Sequence, residues 1–321
     1  MCNTKTTDTN ATINQINQLE KEGCELIRVA VPDIKSLNSL KEIKDNIQIP
    51  VIGDIHFNYK LAIASLKYCD KIRINPGNIK NKIHLKEIIK TAKDYNKPIR
   101  IGVNLGSIDK EIEQKYGRTP QGLVNSAKKF INIFKKYNFE KIVVSLKASD
   151  IKTTIDANIL FRKQFNYPLH LGITEAGTKF HGTIKSSIGI GSLLNSGIGE
   201  TLRVSLTENP IQEIKVAKSI LQSLNLRKFN PTIISCPTCA RTHDNLIKIT
   251  KDIESKTNNS NTSIKTIAIM GCEVNGPGEA KNADIGIALG KNKSSFFKKG
   301  KIIKLIDNSK IEETIVNEII N

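Results

Sequence analysis

Tryptophan is absent from the 321-residue chain, and aromatic residues make up only 5% of it. A surface that stacks nucleic-acid bases needs such rings interleaved with cations, and no such platform is present. No run of 18 or more apolar residues occurs, which leaves no candidate membrane span. The opening MCNTKTTDTN has no apolar core, so a secretory leader is not expected. Cysteine is sparse as well. Six of them spread along a chain of this length do not form a disulfide framework and point to a reducing, cytoplasmic setting. Acidic residues are also short: Asp and Glu number 31 against 49 Lys and Arg, a formal net charge of +18. That excess suits a nucleic-acid surface, but Lys, Ile and Asn are abundant everywhere and no dense basic block stands out. The charge equally suits a polyanionic small substrate and an acidic protein donor. Neither nucleic acid nor membrane is the expected partner.

What is present is alternation. Short β-branched runs, CELIRVAV (24–31), PVIGDIHF (50–57), KIRINPG (71–77), PIRIGVNLG (98–106), KIVVSLKAS (141–149), PLHLGITEAG (168–177) and ETLRVSL (200–206), are separated by amphipathic stretches such as TPQGLVNSAKKFINIFKKY. Strand–helix alternation at this spacing predicts parallel βαβ units, and the continuous apolar runs fit strands buried on both faces. Seven units precede residue 225, whereas a closed (β/α)₈ barrel requires eight. The polar, Thr-rich opening leads straight into a helix, as the loop after a first strand would. The expectation is a TIM barrel over 1–225 whose first strand is missing from the numbered sequence; an open doubly wound sheet is the alternative. From 226 to 321 the pattern changes to a smaller α+β module. It holds NLRKFNPTIIS, a helix THDNLIKITKDIES, the loop KTNNSNTS, strands IKTIAIM and ADIGIAL, and a Lys-rich hairpin, KSSFFKKGKIIKLI.

Polar residues recur at the ends of the barrel strands: Arg28 and Asp33, Asp54 and His56, Arg73 and Asn75, Arg100 and Asn104, Ser145 and Lys147, Glu175, Arg203 and Ser205. The C-terminal mouth is where barrels do chemistry. Four arginines and Lys147 converging there would repel one another without an anionic ligand. Phosphate or diphosphate is the natural counter-charge, since guanidinium meets it in bidentate fashion.

Cys2, Cys24 and Cys69 have no short-range partners and read as inert buried thiols. Cys236-Pro-Thr-Cys239 differs, because Cys272 follows at a strand end in MGCEVNGPGEAKNAD. A redox dithiol, a zinc site completed by His243, and an iron–sulfur cluster are the readings open to this set. Three thiolates with one oxygen donor suit a cluster whose fourth iron exchanges ligands. Glu273 adjoins Cys272 and would project away, whereas Glu279 follows N-G-P-G, whose glycines and proline allow a tight turn that would bring the chain back. The spacing C-x2-C-x32-C-x6-E therefore nominates Cys236, Cys239, Cys272 and Glu279.

SCPTCAR, MGCEVNGPGEA and ADIGIA closely resemble the 4-hydroxy-3-methylbut-2-enyl diphosphate synthases of the non-mevalonate isoprenoid pathway, in their short two-domain bacterial form. CELIRVAVPD, GDIHFNYKLA, KIRINPGNI, PIRIGVNLGS, VVSLKASD, HLGITEAG, GTIKSSIGIGSLL and RVSLTENP extend the resemblance over almost the whole chain. It implies a TIM barrel followed by a domain carrying a [4Fe–4S] cluster on three Cys and one Glu. The implied activity is an oxidoreductase's, the reductive ring opening and dehydroxylation of 2-C-methyl-D-erythritol 2,4-cyclodiphosphate. Glu175 matches the acid/base glutamate. Arg28, His56, Arg73, Arg100, Lys147, Arg203 and Ser205 match positions that hold the cyclodiphosphate, with Asp54, Asn75 and Asn104 as polar supports. The resemblance further implies a head-to-tail homodimer and electrons from reduced flavodoxin or ferredoxin. Two departures stand out: the family's first strand is absent before MCNTKTTDTN, and Ala240 stands where glycine is expected. The rival readings are a barrel acting on another sugar phosphate with a purely structural metal, and a basic nucleic-acid binder.

Overall fold

The computed structural model describes the whole chain except Pro76, Gly77, Lys80, residues 258–261, residues 274–277, Glu279 and Asn321, together with the side chain of Ile320. It divides into two compact units, Met1–Leu226 and Arg227–Asn321. In the first, helix α1 (Thr9–Lys21) precedes β1 (Ile27–Ala30), α2 (Ile34–Asp45), β2 (Val51–Ile55), α3 (Tyr59–Ser65), β3 (Lys71–Ile74) and α4 (Lys82–Asp94). Then come β4 (Ile99–Asn104), α5 (Lys110–Tyr116), α6 (Pro120–Lys136), β5 (Ile142–Lys147), α7 (Ile151–Gln164), β6 (His170–Leu171), α8 (Lys179–Asn195), β7 (Thr201–Leu202) and α9 (Pro210–Ser223).

Strands β1 to β5 are parallel neighbours in chain order. A bridge between Val144 and Leu169 carries the ladder on toward β6, which pairs in parallel with β7. The expected alternation is thus realised as a seven-stranded parallel wall among the described residues. Beside β1, the backbone N–H of Cys2 donates to the Arg28 carbonyl at 3.0 Å. Helix α1 packs against both α2 and α9, so the outer ring of helices comes back on itself. The expected strands overrun at their C-terminal ends: 168–177 and 200–206 shrink to two paired residues each, because the rest serves as mouth loops.

The local reasons repeat around the wall. Every residue of β2 is buried, as a strand sandwiched between barrel interior and helices must be. Asp8, Asp33, Asn58, Asn81, Asp109, Thr119, Asp150 and Asn209 each cap a helix by accepting a first-turn backbone N–H, each satisfying an otherwise orphaned donor. Pro120 and Pro210 begin α6 and α9, where a missing N–H costs nothing. Asp33 is therefore a cap, accepting from Ser36 N at 2.7 Å.

The second unit is a five-stranded sheet whose strands lie in reverse chain order. Strands β8 (Thr232–Ser235), β9 (Thr266–Met270) and β10 (Ile285–Ala288) run parallel, while β11 (Lys293–Lys298) and β12 (Lys301–Asp307) are antiparallel. Helix α10 (Leu246–Thr257) and the terminal α11 (Ile311–Ile320) cover one face through Leu246, Ile249, Ile253, Ile311, Ile315 and Ile319. The other face packs Ala268, Met270, Ala280, Ala283, Ala288 and Phe297.

Gly286 makes that second face possible, because a Cβ there would lie 2.3 Å from Phe297 Cζ and 2.9 Å from the Ala268 carbonyl. Gly286→Ala should therefore destabilise this unit by about 1–3 kcal/mol through overpacking. Denaturant unfolding of the full chain, followed in the transition of the second unit, checks it.

Candidate active site

Inward-facing residues of neighbouring parallel strands lie side by side. The register sets Asp54 beside Arg73 and Arg73 beside Arg100 across β2, β3 and β4. It likewise sets Gly102 beside Ser145 and Asn104 beside Lys147 across β4 and β5. A cavity of about 310 Å³ opens among them, lined by Arg28, Asp54, His56, Arg73, Arg100, Asn104, Lys147, Glu175, Arg203 and Ser205, joined by Met1, Ser145 and Thr174. Of the substrate-facing residues expected from sequence, Asn75 alone does not line it. Its side chain turns to donate to Ser107 Oγ at 2.9 Å, and Ser107 in turn donates to the Asn104 carbonyl at 3.2 Å. Asn75 thus braces the segment that carries Asn104 rather than facing the cavity.

Like charges on adjacent strands are unfavourable, and three guanidiniums meet here. Asp54, only 2% exposed, offsets two of them: Oδ1 lies 3.2 Å from Arg73 Nη1 and Oδ2 lies 3.6 Å from Arg28 Nε. His56 Nε2 stands 3.8 Å from the same carboxylate. Burial pushes the Asp54 carboxyl up, but the Arg28 and Arg73 guanidiniums outweigh it and hold the group below its ordinary value. Arg100 is the exception. It is 3% exposed, and its Nε is buried without a hydrogen-bond partner. Burial, then Arg28 and Arg73, pull its guanidinium down. Lys147 is pulled well down in the same way, by burial first and then by Arg100 and Arg28.

Two glycines make room for these cations. A Cβ on Gly102 would lie 2.6 Å from Arg73 Nε, and one on Gly172 would lie 2.5 Å from Lys147 Nζ. Glu175 is exposed and sits in the left-handed region at φ 53°, a conformation costing a non-glycine residue about 1–2 kcal/mol. The neighbouring Thr174 N–H is tied to the Ala148 carbonyl at 3.2 Å, so the mouth loop holds the carboxylate out over the opening. Thr174, the two glycine berths and Glu213, which pairs with Arg203 at 2.9 Å, carry no signal in the sequence that singles them out. Ser145 shows there only as a strand-end residue, two positions before Lys147.

In the second unit, β8 ends at Ser235 opposite Ile269 of β9, which brings Cys236 beside the Gly271-Cys272 turn. Cys236 Sγ accepts the Gly271 N–H at 3.1 Å, and Thr242 Oγ1 lies 3.9 Å from Cys239 Sγ. Backbone donation from Arg241, then the Thr242 hydroxyl, lowers the Cys239 thiol. Thiolate is the state in which cysteine ligates a metal, and Cys239 is shifted toward it. Among the described residues, no three Cys, His, Asp or Glu side chains are gathered closely enough to hold a metal ion. Glu279, the fourth expected ligand, lies outside the described residues. Cys2 and Cys69 are buried, and burial pushes each thiol up to about 11, in keeping with inert packing. No described helix is long and apolar enough to cross a membrane.

The model of the GcpE TIM-barrel domain matches residues 1–218, and that of the GcpE protein C-terminal domain matches residues 232–321. The chain belongs to the GcpE family. A relative from Caldanaerobacter subterraneus subsp. tengcongensis is 52% identical, over 99% of this chain and 90% of its own length. Others, from Fusobacterium nucleatum (51%, covering 98% and 89%) and Clostridium acetobutylicum (50%, covering 100% and 92%), share its name, 4-hydroxy-3-methylbut-2-en-1-yl diphosphate synthase (flavodoxin). Among solved structures, a dihydropteroate synthase of Yersinia pestis aligns with 68% of this chain and 89% of its own, at 11% identity and a TM-score of 0.48.

Because the folded Asp54 carboxyl is held below its ordinary value, its stabilisation is fully present above about pH 4–5 and is lost as pH falls through the folded value. Asp54→Asn should cost about 3 kcal/mol or more at neutral pH, since it leaves two guanidiniums unpaired. The gap between wild type and variant should narrow below about pH 4, measured by urea unfolding from pH 3 to 7.

Proposed function

We propose that this chain carries out the reaction for which its relatives are named, forming 4-hydroxy-3-methylbut-2-enyl diphosphate from 2-C-methyl-D-erythritol 2,4-cyclodiphosphate. The observation that carries the reading is the buried, unpartnered Nε of Arg100 in a cavity lined by four arginines and Lys147 against two carboxylates. A site so unbalanced is completed by a ligand bearing several negative charges. A cavity of about 310 Å³ is of small-metabolite size.

In this reading Arg73, Arg100 and Lys147 meet the diphosphate from the barrel floor, and Arg28 and Arg203 close on it from the side. Asp54 keeps Arg28 and Arg73 from turning away, while His56, Asn104 and Ser205 donate hydrogen bonds at the rim and Asn75 steadies Asn104. Holding the ring in one pose removes much of the orientational cost of the reaction. Glu175, aimed over the opening by its left-handed backbone, gives its proton to the departing hydroxyl, which leaves as water. A [4Fe–4S] cluster on Cys236, Cys239, Cys272 and Glu279 would pass on, one at a time, the two electrons delivered by the reduced donor and offer Lewis acidity at a substrate oxygen. The Gly271 N–H faces Cys236 Sγ and the Thr242 hydroxyl faces Cys239 Sγ, and the lowered Cys239 thiol is suited to ligation. Reduced flavodoxin or ferredoxin as donor, a homodimer in which one copy's cysteine module serves the other's barrel, and a bacterial cytoplasmic setting belong to the same proposal.

Anaerobic reconstitution of the full chain should give equimolar iron and acid-labile sulfide, and turnover of the cyclodiphosphate with reduced flavodoxin. Zinc without sulfide, or a colourless protein that takes up no iron, would overturn the reading. Glu175→Gln should lower kcat by about 10²–10⁴-fold with KM nearly unchanged, in steady-state assays of the reconstituted enzyme.

A further inference from the structure

We infer that Glu213, on α9 outside the cavity lining, is a positioning residue that sets one whole side of the anion site. Its carboxylate is 5% exposed and takes hold of Arg203 three times. Oε1 accepts from Nη2 at 2.9 Å, and Oε2 accepts from Nη2 at 3.2 Å and from Nε at 3.3 Å. The same Oε1 accepts the backbone N–H of Leu206 at 3.0 Å. One helix-borne carboxylate therefore ties down the guanidinium of Arg203 and the main chain next to Ser205, and both Arg203 and Ser205 line the cavity.

The arrangement follows from charge. Arg203 faces a mouth that already holds Arg28, Arg73, Arg100 and Lys147, and its side chain keeps some access to solvent, at 29% exposure. Repulsion would turn it outward. A bidentate carboxylate on the helix side fixes both the position and the plane of the guanidinium. With Nη2 and Nε turned to Glu213, Nη1 remains for a ligand. Asp54 does the corresponding work for Arg28 and Arg73, so two buried carboxylates set three of the four arginines. Glu213 thus acts on the ligand through Arg203, with no contact of its own.

The inference rests on the proposed anion site, and its test uses a probe that needs no turnover. Inorganic pyrophosphate and the cyclodiphosphate are titrated calorimetrically into the full-length protein as wild type, Glu213→Gln, Arg203→Ala and the double variant. Glu213→Gln should weaken both ligands roughly tenfold, as expected when a charge-assisted contact loses its orientation. In the Arg203→Ala background the same change should matter less than about twofold, because coupled residues are non-additive. In the reconstituted enzyme KM should rise while kcat stays within about threefold. Equal weakening in both backgrounds, or unaltered binding in Glu213→Gln, overturns the inference. If Glu213→Gln fails to fold, Glu213→Asp, which keeps the charge but shortens the reach, takes its place in the cycle: loss of binding confined to the Arg203 background supports the inference, and equal or no loss overturns it. Coupled pyrophosphate binding without turnover of the cyclodiphosphate would leave Glu213 its role and remove the functional reading. Normal turnover with no coupling would do the reverse.

Discussion

Arginine side chains packed into the interior of a parallel barrel set the terms for everything around them. Arg73 and Arg100 lie on adjacent strands, so their repulsion is built into the register and cannot be relieved by sliding one strand without turning its apolar face inside out. The fold offsets this with Asp54, which lies between Arg28 and Arg73, and with Glu213 behind Arg203. It also withholds side chains, at Gly102 and Gly172, where a methyl group would collide with Arg73 or Lys147. After these measures Arg100 still has a buried nitrogen without a partner. In the proposed function a bound anion completes that group.

Much of this is legible in the chain. Continuous β-branched runs bounded by Asp, Asn or Thr caps announce strand after strand, because burial on both faces and cap chemistry are local matters. Arg28, Asp54, Arg73, Arg100, Lys147 and Arg203 stand out because a charge inside an apolar run is conspicuous. Strand-end position and the resemblance both place Asn75 at the cavity, whereas its amide donates to Ser107. Glu213 has no such signature: it sits in an ordinary amphipathic helix, and only tertiary packing brings it to Arg203. Gly172 and Gly102 read as strand glycines of no special kind, since what they avoid lies on a neighbouring strand. The terminal helix α11 escapes sequence reasoning too, hidden behind a Lys-rich hairpin whose alternation dominates the C-terminus.

The cysteine module shows how a long spacing becomes a short distance. Cys236 follows β8 and Cys272 follows β9, and those strands pair directly. The 32 residues between Cys239 and Cys272 hold most of the β8–β9 crossover, with α10 and a polar loop, and then β9 itself, and the crossover is of the length a parallel pair requires. Pairing of β8 with β9 therefore brings both cysteine-bearing turns to the same sheet end, whatever the loop contains. Donor contacts to sulfur then distinguish Cys236 and Cys239 from Cys2 and Cys69. The first two receive N–H or O–H donors at a sheet end, whereas the second two are buried and their thiols pushed up. Thiolate chemistry follows environment rather than count.

The overall basic charge takes on a different meaning in this light. A nucleic-acid binder spends its cations on a solvent-facing stripe that tracks phosphates along a backbone. Here the cations that depart most from ordinary behaviour are enclosed in a cavity of about 310 Å³, too small for a duplex or strand. Most of the +18 belongs to dispersed surface lysines, each screened within about 10 Å at moderate salt. The cavity group is shielded from that screening by the barrel wall. Its field therefore acts on a small anion that enters the mouth, and a molecule carrying two phosphates on a compact ring gains more from five converging basic side chains than a single phosphate does.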